Sequence, residues 1–217
     1  MVGKYKIIRF LIVMERVAYY MRPMDPFFPK KYYARKKFLK IFGGEMKIYD
    51  ENRSNLLFYV KQKAFRIKED ISIYGDESKN TELLRIRTKS IFDIAGTYDV
   101  SDSVKNEQVG ALRRKAWASF ARDTWLILDK SGKEIATLKE DSMLKALLRR
   151  FLLGALFPQT FSITMDGQEV GELRQTFNPF VPQYTVDFSM DTENKLDRRL
   201  GIAAVVILQV VEGKQDG

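Results

Sequence analysis

Between Arg199 and Glu212 lie twelve residues, Leu-Gly-Ile-Ala-Ala-Val-Val-Ile-Leu-Gln-Val-Val, of which only Gln209 is polar. An element that is apolar all round must be buried all round. Its β-branched content favours a strand. Its length, with Asp197 placed as an N-cap and Gly213 as a C-cap, favours a helix. A helix along the axis of a closed sheet meets both demands, because its backbone groups bond internally and its side chains face the inner wall. The stretch is too short to span a bilayer, which takes about 18–20 apolar residues. The other apolar stretch, residues 5–14, is interrupted by Lys6 and Arg9 and is followed by no small-residue cleavage site, so neither a spanning segment nor a signal peptide is expected.

The rest of the chain supplies the sheet. From Gly44 onward short apolar runs alternate with polar turns. Five hairpins are predicted: Ile48-Tyr49 to Leu56-Val60, Ile73-Tyr74 to Leu83-Ile86, Tyr98-Val100 to Val109-Leu112, Trp125-Leu128 to Ile135-Leu138, and Phe161-Thr164 to Val170-Leu173. Ser131-Gly132 and Asp166-Gly167 are turn dipeptides. Extra strands fit residues 64–68, 89–95, 116–121 and 184–190. Evenly spaced antiparallel strands mean a sandwich or a barrel. Between the fourth and fifth hairpins, Met143, Leu144, Leu147, Leu148, Phe151 and Leu152 recur at helical spacing behind a cap at Asp141 or Ser142. The expected fold is all-β with a central helix: a roughly 12-stranded antiparallel barrel around an apolar C-terminal helix, plus a short amphipathic helix near residues 142–152.

The chain has neither Cys nor His. Thiolate metal sites, thiol catalysis and Ser-His-Asp catalysis are thereby excluded. Glu140-Asp141 reads as charge at a helix N-terminus, and Asp99/Asp102 as turn chemistry. No spacing suggests two carboxylates facing each other across a cleft, and no glycine-rich phosphate loop is present. The expectation is a non-catalytic protein without cofactor or metal. Trp117 and Trp125 read as core.

Charge is the informative feature. The chain carries 37 basic and 28 acidic residues, a net +9. Residues 1–43 hold 11 basic and two acidic residues, so the remaining 174 hold 26 of each and are neutral. Pro23, Pro26 and Pro29, spaced by three, read as an extended linker. The predicted organisation is a basic segment or linker over residues 1–43 and a barrel domain over 44–217. Lys30, Lys31, Arg35, Lys36, Lys37 and Lys40 cluster with Tyr32, Tyr33, Phe38 and Leu39. Such a cluster fits an anionic membrane surface, where each cation contributes about 1 kcal/mol and aromatics sit at the interface. It also fits a solvated strand or linker, or a segment that docks a protein partner. No recognised nucleic-acid motif is present, which places nucleic acid last among candidate partners. The expected localisation is cytoplasmic, with peripheral attachment to a membrane. Arg113-Arg114-Lys115, Arg149-Arg150 and Arg198-Arg199 are further anion candidates, though the last pair reads better as a cap on the barrel rim.

The order of elements resembles the tubby C-terminal-like fold, and within it the LURP-one-related proteins, cousins of the phospholipid scramblases. The resemblance rests on Phe58-Tyr59-Val60-Lys61-Gln62-Lys63, Gly110-Ala111-Leu112-Arg113-Arg114-Lys115, Leu147-Leu148-Arg149-Arg150, and Leu196-Asp197-Arg198-Arg199-Leu200 within residues 187–212. It covers about residues 38–213 and implies a barrel of about twelve strands around a C-terminal helix. Tubby domains bind phosphoinositides through a basic surface, scramblases are linked to calcium-dependent lipid movement, and plant relatives to defence. The resemblance thus implies an anionic-lipid-binding module, with a protein-interaction scaffold as the alternative. The sequence departs from a calcium loop: counted from Asp191, the fifth position is Lys195 and the glycine position is Leu196.

Overall fold

The computed structural model describes residues 25–39, 43–62, 70–88, 96–115, 124–141, 159–176, 181 and 183–212. They form twelve strands: β1 (Lys31–Leu39), β2 (Gly43–Asp50), β3 (Leu56–Gln62), β4 (Asp70–Tyr74), β5 (Glu82–Thr88), β6 (Thr97–Asp102), β7 (Glu107–Arg114), β8 (Thr124–Asp129), β9 (Glu134–Glu140), β10 (Thr160–Met165), β11 (Gln168–Thr176) and β12 (Gln183–Asp187). One helix follows, α1 (Arg198–Glu212). Each strand pairs antiparallel with its sequence neighbours, and β1 closes the barrel against β12. Closure removes the free edges that make an open sheet a liability.

Period-two alternation builds the lining. Phe58 and Val60, Ile71 and Ile73, Leu84 and Ile86, and Phe161 and Ile163 point inward and are buried. All five predicted hairpins form, and all turn at one end of the barrel, called here the mouth. Each carries a register shift just below its turn, at Ile48/Tyr49, Ile73/Tyr74, Val100/Ser101, Ile127/Leu128 and Ile163/Thr164. Such bulges bend and twist a strand locally, which helps a sheet curl shut. The residue before each shift is β-branched and at most 2% exposed, so five branched side chains ring the interior one layer below the mouth.

The apolar tail fills that interior. Residues 200–210 of α1 are buried without exception. Fifteen helical residues span about 22 Å, close to the height of the five- to nine-residue strands around them. Asp197 caps the helix: its Oδ1 accepts from Arg199 N–H at 2.9 Å, and its carbonyl accepts from Leu200 and Gly201. The helix passes the wall closely at Phe188, whose ring lies between Gly171 of β11 and Gly201 of α1.

Two expectations need adjustment, and others lie outside the described residues. The barrel begins at Lys31, so residues 31–39 of the segment read as a linker are a wall strand, and residues 25–30 form a turn against it. There Phe28 N–H donates to Asp25 O, Tyr32 donates its hydroxyl proton to Pro26 O, and Phe27 packs on Phe58 at 5.0 Å between centroids. The predicted strand over 184–190 stops at Asp187, because Phe188 N–H bonds Lys30 O and the chain turns into a loop. The candidate strands at 64–68, 89–95 and 116–121, the helix near 142–152, and the Gly213 cap lie outside the described residues.

Candidate functional site

β1 is where the sequence concentrates positive charge, and strand geometry divides that charge between two faces. Tyr32, Ala34 and Lys36 point into the barrel, while Lys31, Tyr33 and Arg35 point out. Lys30 is exposed at the mouth. Lys31 lies 3.5 Å from both Glu51 Oε1 and Asp187 Oδ2, and those carboxylates, Asp187 foremost, raise its pKa. Arg35 is exposed, with no ion pair among the described residues, and sits in register between Gln183 and Lys47. Lys37 belongs to β1, but its side chain, like all of Lys40, lies outside the described residues. The six candidate residues therefore do not form one patch.

Lys36 is the member that changes role. It is 3% exposed, and its ammonium group donates to the carbonyl of Gln209 near the C-terminal end of α1. That carbonyl is one of the last four of the helix, which have no intrahelical donor, and the helix has no basic residue in its own last turn. Lys36 supplies from the wall the cation that a helix C-terminus favours.

The outer wall over β1–β3 gains cations that the linear cluster did not suggest. The Arg53 guanidinium stacks on the Tyr33 ring at 3.9 Å. Lys47 and Lys79 approach the Tyr59 ring at 6.0 and 5.9 Å. Lys47 is held by Glu77 at 2.7 Å, a bond that raises its pKa. Burial raises the Tyr59 pKa, helped by Glu45, whose Oε2 accepts the phenol proton at 3.3 Å. Arg53, Lys61 and Lys79 have no ion pair among the described residues. The sequence signal for this wall was the outward set of β2 and β3, where Lys47, Tyr49, Tyr59 and Lys61 alternate with core residues.

The other candidates are structural. Arg199 pairs with Asp102, Glu107 and Asp197 at 2.7–2.8 Å and ties the start of α1 to the β6–β7 turn, as expected of a rim cap. These carboxylates offset the penalty of placing arginines at a helix N-terminus. Burial pushes the Asp102 pKa up, but N–H bonds from Lys105 and Val104 and the Arg199 guanidinium outweigh it and hold that carboxyl below its usual value. Arg198 is 10% exposed, stacks on Phe188 at 4.2 Å, and has its pKa lowered by burial. Asp191 is buried, and both its oxygens accept backbone N–H bonds, from Lys195 and Leu196. Arg113 Nε donates to Thr97. Trp125 lies in the core; Trp117 and Arg149-Arg150 fall outside the described residues. No described helix is long and apolar enough to cross a membrane.

A family model described as LURP-one-related matches residues 56–209. No curated protein and no solved structure matches the chain.

Proposed function

The chain belongs to the LURP-one-related family, and we propose that it is a non-catalytic module that attaches to anionic membrane surfaces. The observation that carries this reading is the confinement of the whole +9 excess to the first 43 residues. A barrel filled by its own helix supports a binding role over a catalytic one, since ligand sites need concave space. Of the six cations in the cluster, Lys36 is committed to α1 and Lys31 to two carboxylates. The proposed contacts are then Lys30, Arg35, Lys37 and Lys40. At about 1 kcal/mol each they supply roughly 4 kcal/mol, which is weak, reversible attachment of the order given by a single myristoyl chain.

The test is sedimentation of the full chain with vesicles. Binding to phosphatidylserine-containing vesicles, absence of binding to phosphatidylcholine alone, and weaker binding of the Lys30→Gln/Arg35→Gln variant are expected. Deletion of residues 1–43 is unsuitable, because it removes β1 from the barrel. A full chain that fails to sediment with anionic vesicles at low salt overturns the proposal. A partner protein retained only by chains with an intact cluster, without vesicle binding, replaces it with a scaffold role.

A further inference from the structure

Strand register sets the outward side chains of β1–β4 in cross-strand rows. One row runs Thr185–Tyr33–Tyr49 across β12, β1 and β2. The next, farther from the mouth, runs Gln183–Arg35–Lys47–Tyr59–Tyr74 from β12 to β4. A third places Glu45 of β2 opposite Lys61 of β3. Each of the four strands β1–β4 thus presents one tyrosine on the outside. The β2–β3 and β4–β5 turns add two cations, since Arg53 stacks on Tyr33 and Lys79 approaches Tyr59.

The carboxylates of this face are already engaged. Glu45 is turned to the Tyr59 phenol, Glu77 to Lys47, Glu51 and Asp187 to Lys31, and Asp70 to Arg85 and Arg87. Asp50 and Asp76 accept N–H bonds within their own turns. Arg35, Arg53, Lys61 and Lys79 are exposed and have no ion pair among the described residues. Arg35 and Lys47 moreover stand directly opposite each other, and like charges so placed on neighbouring strands are destabilising. Glu77 offsets the repulsion on the Lys47 side alone. An anionic surface over the row relieves it on both sides.

We infer that the outer face of β1–β4 is the face that lies on the anionic leaflet, so that the barrel rests on its side with the axis of α1 along the surface. The inference rests on the membrane-binding reading and extends its contact from the β1 cluster to Arg53, Lys61 and Lys79. Cations alone fit any polyanion. Cations interleaved with tyrosines fit the headgroup layer, where both side-chain types are favoured. Phe28, in the turn just ahead of β1, is 79% exposed and gives this contact an apolar side chain. Attachment strengthens where apolar burial and attraction to anionic lipid combine.

Charge-matched pairs on opposite walls test the orientation. In the full chain, Lys61→Gln/Lys79→Gln removes two cations of this face that lie outside the linear β1 cluster. Lys130→Gln/Lys139→Gln removes two exposed lysines around β8–β9, on the far side of the twelve-strand ring. Partition onto vesicles of phosphatidylcholine with phosphatidylserine is expected to fall about 30-fold for the first pair and less than about twofold for the second. The chain lacks Cys, so an environment-sensitive dye can be placed singly at Thr185→Cys, beside Tyr33, or at Lys130→Cys. Emission is expected to shift to the blue on vesicle addition only for the label at 185. Equal losses for the two pairs, or a blue shift at 130 as large as that at 185, overturn the orientation while leaving membrane binding intact. A wild-type chain that does not bind vesicles removes the functional reading itself, and the orientation with it.

Discussion

Gly201→Ala is expected to destabilise the protein, although alanine is the better helix former. In an exposed helix the exchange gains about 1 kcal/mol. Here a Cβ on residue 201 falls 2.9 Å from both Cε1 and Cζ of Phe188, well inside ordinary carbon–carbon contact. The ring cannot retreat. A Cβ at Gly171, across from it on β11, falls 2.8 Å from Phe188 Cδ1, and the Arg198 guanidinium lies 4.2 Å from the ring centroid. Phe188 is fully buried and packs edge-on against Tyr32 at 6.1 Å. Overpacking of such a site costs about 1–3 kcal/mol. Set against the gain in helix propensity, the net loss reaches about 2 kcal/mol. Urea or guanidinium unfolding of the full chain reads this as a lowered midpoint at unchanged slope. Phe188→Leu alone also destabilises, but it makes room, so the double variant should recover part of the sum. That coupling is what a double-mutant cycle detects. A more stable Gly201→Ala variant, or strictly additive losses, refutes the placement of the ring between helix and wall.

Two further outcomes follow from the same geometry. Lys36→Met keeps the length of the side chain but leaves the Gln209 carbonyl without its ammonium donor; a loss of about 1–3 kcal/mol is expected, and unchanged stability in denaturant unfolding counts against the helix-end contact. The Asp102 carboxyl has a lowered pKa when folded, so its contribution is fully present above the unfolded value near 4 and is lost as pH falls through the lower folded value. Asp102→Asn should therefore flatten the acid limb of the stability–pH profile, and an unaltered limb contradicts the Arg199–Asp102 tie.

Much of this fold was legible in the sequence because its signals are local. Four of the five hairpins join an alternating run to a turn whose carboxylate bonds its own backbone: Asp129 Oδ1 accepts from Ser131 and Lys133 N–H, Asp50 Oδ1 from Ser54 and Asn55, Asp76 Oδ1 from Ser78, and Asp102 Oδ1 from Val104 and Lys105. The helix was legible from uniform hydrophobicity and the Asp197 cap, despite β-branched residues that argue for a strand, since full burial overrides propensity. β1 was not legible as barrel wall. Its inward set includes Lys36, which breaks the apolar alternation, and the reason for that lysine lies 173 positions away at Gln209. Closure against β12 is equally non-local.

The candidate site followed the same division. A run of six cations is visible in a sequence, but the alternation of a strand sends one inward and leaves another paired with Glu51 and Asp187. Arg53, Lys61 and Lys79 join the wall only through pairing between strands.

Flotation of the full chain with phosphatidylserine-containing vesicles across a salt series tests the central claim most directly. Screening shortens from about 30 Å at 0.01 M to about 3 Å at 1 M. The account predicts strong binding at the low end that falls steeply with salt and is absent on uncharged vesicles. Binding that is missing at low salt, or equal on charged and uncharged vesicles, contradicts it.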